Sequence, residues 1–176
     1  MKLRFSPLEI PELSDRYISE LSDRDRRLTD AITQRVFPSY EQKGYLTRDE
    51  FLTVCDWKTP RTKNWCASND RTFIREISAL SRATHSEKLR IQVWTLLTGV
   101  KWPTASVFLH FAFPDRYPII DYKALWSLNT DVPSRFDFPF WNRYTDFCRT
   151  VASSVGGVSM RVLDQALWKY PDVHGR

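Results

Sequence analysis

Residues 96–128 read LLTGVKWPTASVFLHFAFPDRYPIIDYKALWSL, and the punctuation inside this stretch spells helix, tight turn, helix, loop, helix. Gly99 supplies the left-handed residue that ends one helix. Pro103 suits the first position of the next, which the apolar run predicts to about Ala112. Pro114 and Pro118 make residues 113–120 a connecting loop, and Asp121 is placed to N-cap a short helix through about Leu128. The turn from Leu97 to Ala105 presents a helix N-terminus with unpaired N–H groups. Such an end attracts phosphate by hydrogen bonding and by its dipole. Lys101 lies within the turn and adds positive charge. Gly99, Val100, Lys101, Trp102 and Thr104 are therefore candidate phosphate-contacting residues. Contacts of this type position a protein on nucleic acid without reading its sequence.

Outward from this stretch the chain keeps a helical period. Ser22 with Asp25 and Thr47 with Glu50 resemble capping boxes that open helices. Pro38 is expected to end the first and Thr59–Pro60 the second. Residues 61–69 read as a polar linker. A third helix is expected to bury Phe73, Ile74, Ile77 and Leu80, and a fourth Leu89, Val93, Leu96 and Leu97. Beyond Leu128 come a turn-rich stretch, a long helix over about 139–154 closed by Gly156–Gly157, and a last helix opened by Ser159. Strand signals are nearly absent; the first ten residues are the one candidate, within an otherwise irregular start. The fold class read here is all-α, as one domain over residues 1–176, with the hairpin at 96–106 and a candidate catalytic loop at 113–121.

The formal charge of +5 and the sequence pI near 9.2 favour an anionic partner. Lys58, Arg61, Lys63, Arg71 and Arg75, set against Asp70 alone, form the densest basic run near the first half's end. Cys55, Cys66 and Cys148 have no metal-ligand spacing, and neither do His85, His110 and His174. No phosphate-loop, dinucleotide or nucleophile-elbow motif is present, so no metal or cofactor is expected. Met1–Ile10 shows no secretory signal, and no apolar run is long enough to cross a membrane. These features predict a cytoplasmic monomer with no membrane association.

The Leu96–Leu128 pattern resembles the signature of the helix-hairpin-helix DNA glycosylase superfamily, which includes endonuclease III, the adenine glycosylase acting opposite oxidised guanine, and the 3-methyladenine glycosylases. The family pattern is approximately L-x-G-[VI]-G-x-x-T-A, then a helix, a Pro-bearing loop and an Asp opening the next helix. Leu97, Gly99, Val100, Thr104 and Ala105 match the hairpin; Pro118, Ile119, Ile120 and Asp121 match the loop and its acid. Residues 50–63 resemble, more weakly, the early helix that ends at the active-site mouth. Three departures stand out: Lys101 replaces the second hairpin glycine, Pro103 stands where bifunctional members carry a catalytic lysine, and the four-cysteine cluster motif is absent.

The resemblance implies a monofunctional glycosylase without lyase activity or iron–sulfur cluster, acting on double-stranded DNA and nucleoid-associated when bound. Its target nucleotide would be flipped into a pocket, with Asp121 as the catalytic carboxylate. The hairpin residues together with Lys58, Arg61 and Lys63 would bind DNA, and Trp57, Lys58 and Trp65 are positional candidates for the base pocket. Two alternatives remain open at this point: a non-catalytic DNA-binding or lesion-sensing module on the same scaffold, and a helical protein-interaction module.

Overall fold

The computed structural model describes residues 1–175, which contain no strand. In chain order the helices are α1 (Ile10–Ser19), α2 (Asp23–Ala31), α3 (Phe37–Lys43), α4 (Arg48–Lys58), α5 (Lys63–Cys66), α6 (Arg71–Ala83), α7 (Glu87–Gln92), α8 (Trp102–Ala112), α9 (Tyr122–Ser127), α10 (Phe138–Ser154) and α11 (Met160–Val173). Among the described residues no helix is long and apolar enough to cross a membrane. The chain divides into two units. One is Ser22–Ala112; the other joins Met1–Leu21 to residues 113–175.

In the Ser22–Ala112 unit the central element is α8. Every residue from Thr104 to His110 is buried, the signature of a helix enclosed on all sides. Phe108 is the middle ring of a stack, parallel to Trp94 at 4.1 Å and to Phe51 at 5.5 Å. Such ring pairs add roughly 0.5–1.5 kcal/mol beyond the area they bury. Helices α3, α4 and α7 pack on α8, and α6 packs on α4 and α7. The Arg90 guanidinium, itself buried, closes the C-terminus of α6 by donating to the carbonyls of Ser81, Arg82 and Thr84.

Four expectations in this unit are corrected. Pro38 does not end the helix that begins at Asp23. A π-turn over Ile32–Val36, with the Phe37 N–H bonded to the Ile32 carbonyl, absorbs the proline before α3 continues to a left-handed Gly44. Residues 61–69 are not a plain linker: Pro60–Thr62 is a 3₁₀ turn, α5 follows, and Cys66 and Asn69 are buried. The buried stripe of α6 is Ile74, Ile77, Ser78 and Ser81, while Phe73 and Leu80 are exposed. The two serines earn their interior positions by hydrogen bonding. The Ser78 hydroxyl accepts from the Leu46 N–H (2.9 Å), and the Ser81 hydroxyl accepts from the Trp94 indole (2.8 Å). Of the next helix's expected stripe, Val93 and Leu97 are buried, but Leu89 and Leu96 are exposed, and Arg90, Ile91 and Trp94 face inward in their place.

In the other unit α11 is the hub, with α1, α9 and α10 against it. The first ten residues are not a strand. Lys2 and Arg4 donate N–H bonds to Leu128 and Ser127 without forming a sheet, then Ser6 caps a 3₁₀ turn that leads into α1. The irregular start expected before Ser22 is thus partly a helix, with Ile10 and Leu13 buried. α11 carries Pro171 in its interior, so the Leu167 carbonyl one turn back loses its helical donor. The buried Ser127 hydroxyl donates to that carbonyl at 2.6 Å.

Candidate functional site

The turn between α7 and α8 is built from local rules. A 3₁₀ turn over Val93–Leu96 follows α7. The Val100 N–H then bonds the Leu97 carbonyl at 3.1 Å, closing a four-residue β-turn with Gly99, at φ +82°, in its third position. That position of a type II turn requires positive φ and selects glycine. Lys101 has no positive φ, since Asp115 and Asn129 are the non-glycine residues that do among those described. The lysine therefore sits in the turn without the backbone strain that its replacement of a glycine would otherwise bring. The Ala105 N–H bonds the Lys101 carbonyl at 2.8 Å and starts α8.

Non-local contacts seat this turn. A Cβ added at Gly99 would lie 2.8 Å from Cys66 Sγ, 3.0 Å from the Cys66 nitrogen and 3.2 Å from Trp65 Cβ. The Asn69 amide grips the turn from the same side: Nδ2 donates to the Thr98 carbonyl (2.8 Å) and Oδ1 accepts from the Thr98 N–H (2.8 Å). Nδ2 also donates to the Cys66 carbonyl (2.9 Å). Two stretches far apart in sequence, 65–69 and 97–100, are thereby brought together.

The sequence candidates take different positions around this turn. Lys101, Arg61, Lys63 and Trp65 are exposed, and Trp65 retains 64% of its surface. Val100 and Thr104 are buried, and the Val100 N–H is already held by the Leu97 carbonyl. Trp102 and Lys58 are half-buried. Lys63 lies 3.8 Å from Asp56, which also holds Arg24 at 2.9 Å. Trp57 is a packing residue: its indole donates to Thr29 Oγ1 (2.9 Å) and its ring meets Phe111 edge-on at 5.4 Å. Arg75 lies over the Tyr45 ring at 4.1 Å.

Cys55 and Cys66 are both fully buried, and Cys66 Sγ lies against Gly99 and 3.8 Å from the Thr62 hydroxyl. Interaction with Cys66, and then burial, pushes the Cys55 thiol well above its ordinary value. Interaction with Cys55 lowers Cys66 to about 7; burial opposes the shift, and Thr62 adds to it.

Asp121 belongs to the other unit. The loop before it is fixed by its own backbone: the Ile119 N–H donates to Asp164 Oδ1 (2.8 Å) and the Ile119 carbonyl accepts from the Tyr144 hydroxyl (2.8 Å). Tyr117 through Ile120 are buried. Asp121 is extended, 8% exposed, and caps α9 by accepting from the Ala124 N–H at 2.9 Å. Burial raises Tyr144 well above the ordinary phenol value, and the nearby Cys148, Asp164 and Asp121 reinforce the shift. Tyr144 is therefore a neutral hydroxyl donor to the loop. The result is a carboxylate held in one orientation, suited to facing a developing positive charge or orienting a water molecule.

Asn69, Cys66, Tyr144 and Asp164 were not among the sequence candidates. Their roles depend on contacts 29 and 45 residues away for Asn69 and Asp164, and no local motif announces them. The groove lined by Asp115, Arg149, Ser159 and Met160 was also unforeseen; there Asp115, at φ +65°, accepts from the Met160 N–H at the start of α11.

Compared with protein-family models, curated proteins and solved structures, the chain matches none.

Proposed function

We propose that the chain is a duplex-DNA-binding protein of the helix-hairpin-helix glycosylase type, which hydrolyses the N-glycosidic bond of a flipped base with Asp121 as the catalytic carboxylate. The observation that carries this reading is the Leu97–Val100 turn. It joins two helices through a left-handed Gly99, leaves Lys101 exposed, and opens directly into α8. A phosphate would be met there by backbone N–H groups at the start of α8 and by the Lys101 ammonium. Asp121 would stabilise the oxocarbenium-like sugar as the C–N bond breaks and would orient the attacking water. Pro103 offers no amine, so no Schiff base forms at that position and strand cleavage is not expected.

One observation favours a second reading, a DNA-binding module without catalysis. Asp121 is almost completely covered, and one of its carboxylate oxygens serves as a cap.

A single experiment separates them. Duplexes carrying alkylated, deaminated, oxidised and phage-type modified bases are incubated with wild-type protein and with Asp121→Asn, then treated with hot alkali. Alkali-dependent cleavage that disappears in the variant supports the glycosylase. Salt-sensitive binding without cleavage supports the module. Neither binding nor cleavage overturns both.

A further inference from the structure

We propose that the surface cavity between Thr130 and α10 is a nucleotide site, which takes a nucleobase carrying a phosphate. The base lies against Phe140 and Phe147, Thr130 accepts one of its N–H groups, and Arg143 takes the phosphate. The cavity, of about 350 Å³, is lined by Met1, Thr130, Phe140, Arg143 and Phe147, a volume within the range of small-ligand sites. All five residues belong to the unit in which α11 is the hub. Phe140, Arg143 and Phe147 recur at i, i+3 and i+7, so they share one face of α10. The two rings stand two turns apart, about 10 Å along the axis, which leaves room for one planar ring between them. Phe136 braces Phe140 edge-on at 5.8 Å. The wall formed by Met1 is held by its neighbour Lys2, whose N–H bonds the Leu128 carbonyl at 2.9 Å.

Two polar groups set the chemistry of the occupant. The Thr130 hydroxyl donates its proton to the Leu128 carbonyl at 2.9 Å. Towards the cavity it can therefore only accept, and it selects a ligand with an N–H or O–H donor beside its apolar part. Arg143 is exposed, with its guanidinium 5.9 Å from the Phe140 ring centre, and no carboxylate pairs with it among the described residues. It offers a forked donor matched to phosphate oxygens. A planar ring with an N–H edge and an attached phosphate satisfies the rings, the hydroxyl and the guanidinium together. A fatty acid leaves the Thr130 oxygen without a donor, and inorganic phosphate leaves the rings uncovered. Thr130 lies beyond the C-terminus of α9, whereas Asp121 caps the N-terminus of that helix. The cavity and the carboxylate thus sit at opposite ends of α9, about 9 Å apart along its axis.

The test uses the intact chain and neither Asp121 nor the Gly99 turn, so its failure is distinct from failure of the DNA reading. Binding is followed by NMR at Thr130, Phe140, Arg143 and Phe147. The probes are adenosine 5′-monophosphate, purine riboside 5′-monophosphate (which lacks the amino group), adenosine, inorganic phosphate and 4-hydroxybenzoate. Adenosine 5′-monophosphate should bind with a Kd at or below about 1 mM, with shifts centred on those four residues. Arg143→Gln should weaken it about tenfold and leave adenosine unchanged. Thr130→Val should weaken it about fivefold, to the level of purine riboside 5′-monophosphate, whose own affinity should not change. The Leu128 carbonyl keeps the Lys2 N–H in that variant, so the wall stays satisfied. A 5′-phosphorylated single strand that competes better than the free nucleotide makes the occupant a strand end; the reverse makes it a free nucleotide. Absence of shifts at about 10 mM nucleotide overturns the site. So does equal binding of inorganic phosphate or 4-hydroxybenzoate, or an unchanged nucleotide affinity in Arg143→Gln.

Discussion

Asn69 and Thr98 hold each other by two hydrogen bonds, amide to backbone carbonyl and backbone N–H to amide, each 2.8 Å long. With its third bond, to the Cys66 carbonyl, Asn69 is the strap that ties the α7–α8 turn to the α5–α6 connection. Asn69→Ala leaves the partly buried Thr98 groups without their partner, which costs about 1–3 kcal/mol. Urea unfolding should show that loss, and the Thr98 amide should exchange faster. Unchanged exchange at Thr98 would mean that the turn is held by something other than this strap.

Gly44 and Gly99 share the same φ, +82°, but not the same surroundings: nothing lies within 4 Å of a Cβ at Gly44, whereas Gly99 has Cys66 and Trp65 against it. Both Gly→Ala variants incur the left-handed penalty, about 1–2 kcal/mol. Gly99→Ala adds overpacking on the Cys66 sulfur and backbone, at least about 1 kcal/mol more. Equal losses in the two variants, measured by denaturant unfolding, would show that the close approach at Gly99 relaxes without cost.

Glu50 makes this unit acid-sensitive. Burial pushes its carboxyl up, but hydrogen bonds from the Thr47 N–H (2.8 Å), Lys43 (2.9 Å) and the Thr47 hydroxyl (2.9 Å) outweigh it and hold the group below the ordinary carboxylate value. A group with a depressed folded value binds its proton later than in the unfolded chain. Its contribution is complete above the ordinary carboxylate range and is lost as pH falls through the folded value. Glu50→Gln keeps an acceptor for the capping box but loses the ion pair with Lys43. It should therefore lower stability at neutral pH by about 1 kcal/mol and flatten the acid side of the stability–pH curve. An identical acid slope in the variant would remove Glu50 from the account.

The features legible in the sequence were those written in neighbouring residues. Gly99 in its turn, the Thr47–Glu50 capping box and Asp121 at its N-cap each need only three or four positions to be specified. The misreadings arose where tertiary contacts outrank local preference. Pro38 looked like a stop because one residue's ring and missing N–H forbid regular α geometry; a π-turn, which sequence does not announce, resolves the conflict. α6 turned its serines inward because Leu46 and Trp94 supply partners from elsewhere in the chain. For the candidate site, the capping geometry of Asp121 was readable, but the Asp164 and Tyr144 bonds that fix its loop, and the Asn69 strap, were not.

Ser127, Leu167 and Pro171 form a coupled set within α9 and α11. Because Pro171 carries no N–H, the Leu167 carbonyl has no i+4 donor, and the Ser127 hydroxyl takes that place. Ser127→Ala strands a buried carbonyl and should cost about 1–3 kcal/mol. Pro171→Ala restores a backbone donor one turn after Leu167, so in that background Ser127→Ala should cost less by about 1 kcal/mol. The four proteins of this double-mutant cycle are compared by urea unfolding at one pH. A coupling energy near zero would show that the Leu167 carbonyl does not depend on Ser127. A positive coupling would identify the Ser127 hydroxyl as the substitute donor that allows a proline inside the helix on which α1, α9 and α10 pack.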